Sequence, residues 1–222
     1  MRILGGSAKG MALVPVKGMS TRPALARVRN SLFNILAPRL EDAAVLDLFA
    51  GTGSLGLECL SRGAARVVFV DADRWCAEAI RKSLEKMRAA GRGDVRVGDA
   101  FRAPWREATA PPQDATRPAP APLGTAHDPT GSPIDASHRS RAAPRLFDLI
   151  FVDPPYAFYT VPPHADRMAS LAENILAQDL APDGLLILEH RKRAGLIREP
   201  AGGRLADRRD YGQTVLSFYA KA

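Results

Sequence analysis

Val45-Leu46-Asp47-Leu48-Phe49-Ala50-Gly51-Thr52-Gly53-Ser54-Leu55-Gly56 decides how this chain is read. An apolar run stops at three closely spaced glycines, and a helix-compatible stretch follows to about Arg62. That order predicts a strand, a tight turn and a helix start. Glycines let the backbone turn sharply and approach a ligand closely. The helix then points its N-terminus at that ligand. A second apolar run, Arg66-Val67-Val68-Phe69-Val70, ends in Asp71, twenty residues after Gly51. An acid at the end of the second strand of such a unit can accept hydrogen bonds from a ribose diol. Asp73 is placed to cap a long helix reaching about Ala90. A third short strand, Val95-Arg96-Val97, leads to Gly98-Asp99-Ala100, where Asp99 is placed to meet an adenine amine. The β-α-β-α-β order predicts an open, doubly wound α/β sheet with its ligand at the strand ends.

Gly51, Gly53 and Gly56 also satisfy the dinucleotide pattern G-x-G-x-x-G, which alone is weak. Asp47, inside the strand just ahead of the glycines, argues against a dinucleotide, because an acid there crowds a pyrophosphate. It can instead pair with the ammonium of an amino-acid moiety. S-adenosylmethionine carries that ammonium and an adenosine, and no phosphate. Phe49, Gly51, Gly53 and Ala100 join Asp47, Asp71 and Asp99 as the expected cofactor contacts. Taken singly, each aspartate also reads as an ordinary capping or turn residue.

A second stretch carries the chemistry. Phe147-Asp148-Leu149-Ile150-Phe151-Val152 is a nearly continuous apolar run, as expected of a central parallel strand, and it runs into Asp153-Pro154-Pro155-Tyr156. Two prolines fix the backbone and remove two amide donors. The corner therefore offers acceptors, a carboxylate and backbone carbonyls. Tyr156 adds a flat face on which a planar ring can stack. An exocyclic amine on a nucleobase suits both features, with Asp153, Pro154, Pro155 and Tyr156 as the catalytic candidates and Asp153 also facing the cofactor. An isolated D-P-P-Y serves equally as a turn that merely ends a strand.

The net charge of +7 is unevenly placed. Residues 1–40 hold Arg2, Lys9, Lys17, Arg22, Arg27, Arg29 and Arg39 and no acid, which leaves the rest of the chain electrically balanced. Such polarity points to a nucleic-acid partner. Arg2, Lys9, Arg22, Arg27 and Arg29 are the candidate phosphate contacts of this arm. Arg191 and Arg193, just past a later strand, form a second basic cluster. Cys59 and Cys76 fall in expected helices, and their spacing to the four histidines suits neither zinc nor a disulfide framework. No apolar leader or membrane-length run is present, so a reducing, cytoplasmic setting and no bound metal are expected.

The remaining chain fills in around these motifs. Short apolar runs broken by glycines over residues 1–20 predict one or two short strands. Thr21-Arg22-Pro23 opens a helix with Val28, Leu32, Ile35 and Leu36 on one stripe and the arginines away from it or at its edge; Pro38 ends it. Residues 107–144 lie in a region, 104–144, that holds nine of the 18 prolines, and their lack of apolar periodicity predicts a flexible insertion. Phe158 and Tyr159 sit in a loop that can wall a substrate site. A helix over 166–178, a fifth strand over 183–189 and a final strand over 211–219, paired with another near 203–208, complete the sheet.

Met1-Arg2-Ile3-Leu4-Gly5-Gly6, Thr21-Arg22-Pro23 with Arg27-Val28-Arg29, Leu32-Phe33-Asn34, Leu55-Gly56-Leu57-Glu58, Ser61-Arg62-Gly63 and the two motifs above together resemble the RsmD family of bacterial 16S rRNA guanine-N2 methyltransferases. The resemblance covers nearly all of the chain outside 107–144. It implies a class I methyltransferase (Rossmann-like) sheet of about seven strands, the last antiparallel, over residues 41–222, with an RNA-binding extension over 1–40. It also implies S-adenosylmethionine as donor and 16S rRNA, within the small subunit or an assembly intermediate, as partner. A monomer is expected. Asp71 stands where family members often have Glu, and the insertion is longer than the family's usual connection. A DNA adenine-N6 or protein glutamine methyltransferase would use a similar corner, although the glutamine enzymes typically carry Asn at the position of Asp153. An NAD-dependent oxidoreductase remains the reading from another class.

Overall fold

A computed structural model describes residues 1–16, 23–107, 146–161, 163–194, 196 and 198–222, without the side chains of 23–25. Arg22 and, past Glu107, the expected insertion lie outside the described residues. The sheet is built from β1 (Ala44–Leu48), β2 (Arg66–Asp71), β3 (Gly93–Val97), β4 (Phe147–Val152), β5 (Leu180–Arg191), β6 (Gly203–Tyr211) and β7 (Thr214–Lys221). Its order is β3-β2-β1-β4-β5-β7-β6. The first five strands are parallel, and β7 runs antiparallel to both neighbours. The order reverses between β1 and β4, which opens a crevice at their carboxyl ends.

Strand composition explains the layering. β1, β2 and β4 are buried at nearly every position, because side chains on both faces are covered. Val45, Val67, Phe69, Leu149, Phe151 and Phe218 face one core; Leu46, Leu48, Val68, Val70, Ile150 and Val152 face the other. The first core is closed by α1 (Pro23–Leu36), α2 (Ser54–Ser61) and α3 (Arg74–Lys86). The second is closed by α5 (His164–Gln178), whose Met168, Leu171, Ala172, Ile175 and Leu176 form one apolar stripe. A short helix, α4 (Ala157–Thr160), follows the corner at the end of β4.

Several boundaries differ from expectation. Among the described residues, the N-terminal segment forms one antiparallel bridge, Arg2 with Ala12, instead of strands. Glu58 explains what holds it: buried in α2, its carboxylate accepts from the amides of Leu4 (2.7 Å) and Gly5 (2.8 Å) and from Arg62 Nε (2.8 Å). α3 ends at Lys86, earlier than expected, and Arg88 turns into the left-handed region at φ 56°. Tyr211 closes β6 instead of opening the last strand. Gly212, at φ 63°, and Gln213 make the two-residue hairpin turn.

Candidate active site

The glycine-rich turn places the first acid. Gly51 and Gly53 sit at φ 55° and 72°, a backbone region costly for other residues. Gly56 allows α2 to pack directly on β2, since a Cβ there would strike Phe69 and Val67. The Gly56 amide then donates to Asp47 Oδ2 at 2.9 Å. Asp47 is 2% exposed. Burial pushes its carboxyl up to about 8, against the pull of the Gly56 amide and with help from Asp153 and Asp71. Phe49 follows in the left-handed region, φ 58°, an arrangement that costs a non-glycine residue about 1–2 kcal/mol and recurs at functional sites.

Asp71, at the end of β2, accepts from the amides of Gly51 (2.7 Å) and Asp73 (2.9 Å). Both carboxylate oxygens are thereby aimed and retain a further lone pair each. Asp99, just past β3, accepts from the Phe101 amide (3.0 Å) and pairs with Arg167 of α5 at 3.2 Å. Ala100 beside it is buried. Arg167 also lies 3.9 Å over the Phe101 ring. Phe49, Phe101 and Phe158 meet as three rings with centroids 5.8–5.9 Å apart, and Phe158 stacks on His164 at 4.8 Å. This aromatic cluster joins the ends of β1, β3 and β4. Only Phe49 and the Phe158 loop were legible beforehand.

The corner past β4 sits beside these groups, because Leu48 and Val152 are register partners in the parallel β1–β4 pair. Asp153 retains solvent access, yet surrounding protein desolvates its carboxyl and raises it. Pro154 is buried and Pro155 exposed. The Pro155 carbonyl accepts the Phe158 amide at 2.9 Å, which starts α4. The Pro154 carbonyl, next to Asp153, accepts no hydrogen bond among the described residues. Arg191, the last residue of β5, lies 4.4 Å over the Tyr156 ring. Two residues from unconnected motifs thus form one stack, with Tyr156 presenting its ring to a cation. Glu189, read beforehand only as a strand end, lies on β5 next to the corner; desolvation and then Asp153 raise its carboxyl.

The basic residues separate into two groups. Arg2, Lys9, Arg27, Arg191 and Arg193 are exposed. Arg29 is not: it is 6% exposed and donates to the Arg2 carbonyl at 2.6 Å. The expectation that it contacts phosphate is corrected here, because the N-terminal segment folds over it and burial lowers its pKa. A separate hollow of about 540 Å³ lies between Val14-Pro15-Val16 and α3, lined by Trp75, Glu78 and Lys82, and touches none of the strand-end carboxylates except through neighbouring Asp73.

Asp47, Asp71 and Asp99 form an acceptor-only set along adjacent strand ends. It fits a ligand that presents an ammonium, a ribose diol and an aromatic amine, as S-adenosylmethionine does. A pyrophosphate would face the buried Asp47 carboxyl instead of a cation.

Comparison with known proteins agrees with this architecture. The profile of a family described as conserved hypothetical protein 95 matches residues 1–116 and 130–220. Ribosomal RNA small subunit methyltransferase D of Escherichia coli (strain K12) is 31% identical, over all of this chain and 90% of that one. The Haemophilus influenzae protein of the same name is 28% identical over 89% of this chain and 82% of its own. The structure of yhhF from Escherichia coli, a methyltransferase by assignment, superimposes with a TM-score of 0.70 at 29% identity, covering 100% of this chain and 97% of that one. Magnesium protoporphyrin IX methyltransferase from Synechocystis, solved with its methyl donor bound, shares the fold at a TM-score of 0.57 and 14% identity, over 92% and 87% of the two chains. The fold is that of the class I methyltransferases, and the chain belongs to the conserved hypothetical protein 95 family, as the resemblance of its motifs to the RsmD methyltransferases led us to expect.

Proposed function

We propose that this chain methylates the exocyclic N2 amine of a guanine in 16S rRNA, with S-adenosylmethionine as donor. The observation that carries the reading is the acceptor corner of Asp153 and the Pro154 carbonyl, set one strand away from the buried Asp47. The names of the relatives support ribosomal RNA of the small subunit as substrate. S-adenosylmethionine supplies an electrophilic methyl group on a sulfonium. Asp47 holds the ligand's ammonium, Asp71 its ribose and Asp99 its adenine amine, while Phe49 and Ala100 pack about them and Gly51 and Gly53 let the backbone come close.

A guanine amine is a poor nucleophile, because its lone pair is delocalised into the ring. Asp153 and the Pro154 carbonyl accept its two N–H groups, favour a pyramidal nitrogen and aim it for in-line attack. Positioning of this kind can supply up to roughly 7–11 kcal/mol of a barrier. Tyr156 and Arg191 form the stack against which the base settles after it leaves its helix. Residues 1–40, through Arg2, Lys9 and Arg27, hold the RNA backbone together with Arg193. Arg22 belongs to this set by sequence alone.

The test offers unmodified 16S rRNA, free and within reconstituted small subunits, to the protein and labelled S-adenosylmethionine, and separates the nucleosides by mass spectrometry. N2-methylguanosine is the expected product, lost in Asp153→Ala while cofactor binding survives. N6-methyladenosine, or no labelled nucleoside, overturns the reading.

A further inference from the structure

Methyl transfer to an amine forms an N–C bond with the nitrogen lone pair and breaks a C–S bond whose electrons remain on sulfur. One N–H proton must then leave the nitrogen. Val152 and Leu188 are partners in the parallel register of β4 and β5. Asp153 and Glu189, each one residue further on, therefore stand side by side on strands spaced roughly 5 Å apart. Tyr159 of α4 is buried, and its hydroxyl has no hydrogen-bond partner. Such an orphan is rare in folded proteins and asks for a role.

We propose that Asp153 receives the proton released from the target amine, and that Glu189 and Tyr159 are positioning residues that hold Asp153 ready to take it. The proposal rests on the amine methylation argued above. Two carboxyls facing each other across the strand gap do not readily ionise together, so the pair holds one proton more firmly than either would alone, and the Asp153 charge adds to the rise of Glu189. Desolvation raises both carboxyls in the same direction. Asp153 and Glu189 are also the first two charges that act on the Tyr159 hydroxyl, ahead of Tyr219 of β7. That hydroxyl makes no hydrogen bond in the structure and is therefore uncommitted, able to turn toward the pair when it ionises. Asp47 of β1 is the remaining acid in the neighbourhood, itself raised in part by Asp153. No cation offsets the pair: among the described residues neither carboxylate has an ion-pair partner, Arg191 lies over Tyr156, and burial disfavours the charged form of His190. His190 bonds instead to Ser217 Oγ and the Arg191 carbonyl.

Two measurements test this on the full chain. Carboxyl ¹³C NMR of the protein with S-adenosylmethionine reads the pair without RNA. Two coupled titration steps are expected, the upper one lost in Glu189→Gln. Single-turnover rate against pH reads the role. The wild type should climb through both steps. Glu189→Gln should level off about 1 pH unit lower, at a plateau on the order of 10-fold down. Tyr159→Phe removes the uncommitted hydroxyl that the pair recruits when it ionises and should move the limb to higher pH. Independent carboxyls with ordinary titrations overturn the proposal whatever the activity. Rates that fall in both variants with unmoved limbs overturn the roles of Glu189 and Tyr159 alone. A coupled pair in a wild type that methylates no rRNA overturns the proposed reaction and with it the proton's source.

Discussion

A carboxyl buried as deeply as Asp47 is largely protonated at neutral pH, since burial lifts it to about 8. Its folded value lies above its unfolded one, so the folded chain binds a proton that the unfolded chain lacks between those two values. The stability this group contributes is present below the unfolded pKa and is lost as pH rises through the folded one. Asp47→Asn keeps an oxygen for the Gly56 amide and cannot ionise. Urea midpoints of the two proteins should therefore be similar near pH 5, with the variant more stable at pH 9; parallel curves would show that Asp47 is not held neutral. The same variant should bind S-adenosylmethionine more weakly by about 1.5–3 kcal/mol, because Asp47 can give up its proton to meet the ammonium and Asn cannot. The positions of Asp71, Asp99 and Asp153 at parallel strand ends, and of Asp47 inside β1 just before its turn, were legible because apolar runs that stop at acids obey a simple positional rule. Glu189 and Tyr159 were not. Their significance depends on β5 lying beside β4, and strand order is a tertiary fact that local pattern does not carry. Arg29 was misread for a related reason: its helix alone leaves it open, and a segment 27 residues away covers it.

At the scale of elements, the N-terminal segment is joined to the sheet chiefly through α2. Besides the Glu58 contacts, Ser61 Oγ donates to the Gly5 carbonyl at 2.6 Å and accepts the Ala8 amide at 2.9 Å. Gly6, at φ 76°, approaches the Ser61 carbonyl so closely that a side chain would collide with it. Glu58→Ala would leave two part-buried amides and a partly buried guanidinium without their acceptor, at up to about 1–3 kcal/mol for each unsatisfied group. Hydrogen exchange at Leu4 and Gly5 should accelerate strongly in that variant while exchange in β1 and β4 stays slow. Uniform acceleration would mean that the segment and the sheet open together. Ile3 and Leu13 pack in the same core as α1 and β1, so the extension is tied down by apolar burial as well as by Glu58. Sequence periodicity located every strand of the sheet, because apolar runs and glycine turns are local signals. It misplaced the β6–β7 turn because Tyr211 reads equally well as the start of an alternating strand, and only pairing assigns it to β6.

Across the whole molecule, charge and chemistry occupy different regions, which makes their contributions separable. In the proposed reaction the corner at Asp153 acts on the amine. Arg2, Lys9 and Arg27 are exposed in the N-terminal extension, and Arg193 lies past β5. Contacts of such residues go to phosphates, which set register and affinity and carry no base information. Replacing Arg2, Lys9 and Arg27 together should weaken RNA binding and flatten its salt dependence, by roughly 0.7 log units per lost contact on single-stranded RNA. The single-turnover rate at saturating RNA should change little, because nothing at the reaction centre has moved. Arg29→Ala should behave differently, lowering the melting temperature and leaving the salt slope unchanged, since its guanidinium serves the fold. Binding measured between 50 and 300 mM salt, alongside single-turnover rates, separates these outcomes. A triple variant that binds RNA normally at every salt would mean that the N-terminal charge serves solubility and that Arg191 and Arg193 alone face the nucleic acid. A flattened slope in Arg29→Ala would mean that the N-terminal segment lifts on binding and releases that buried arginine to the RNA.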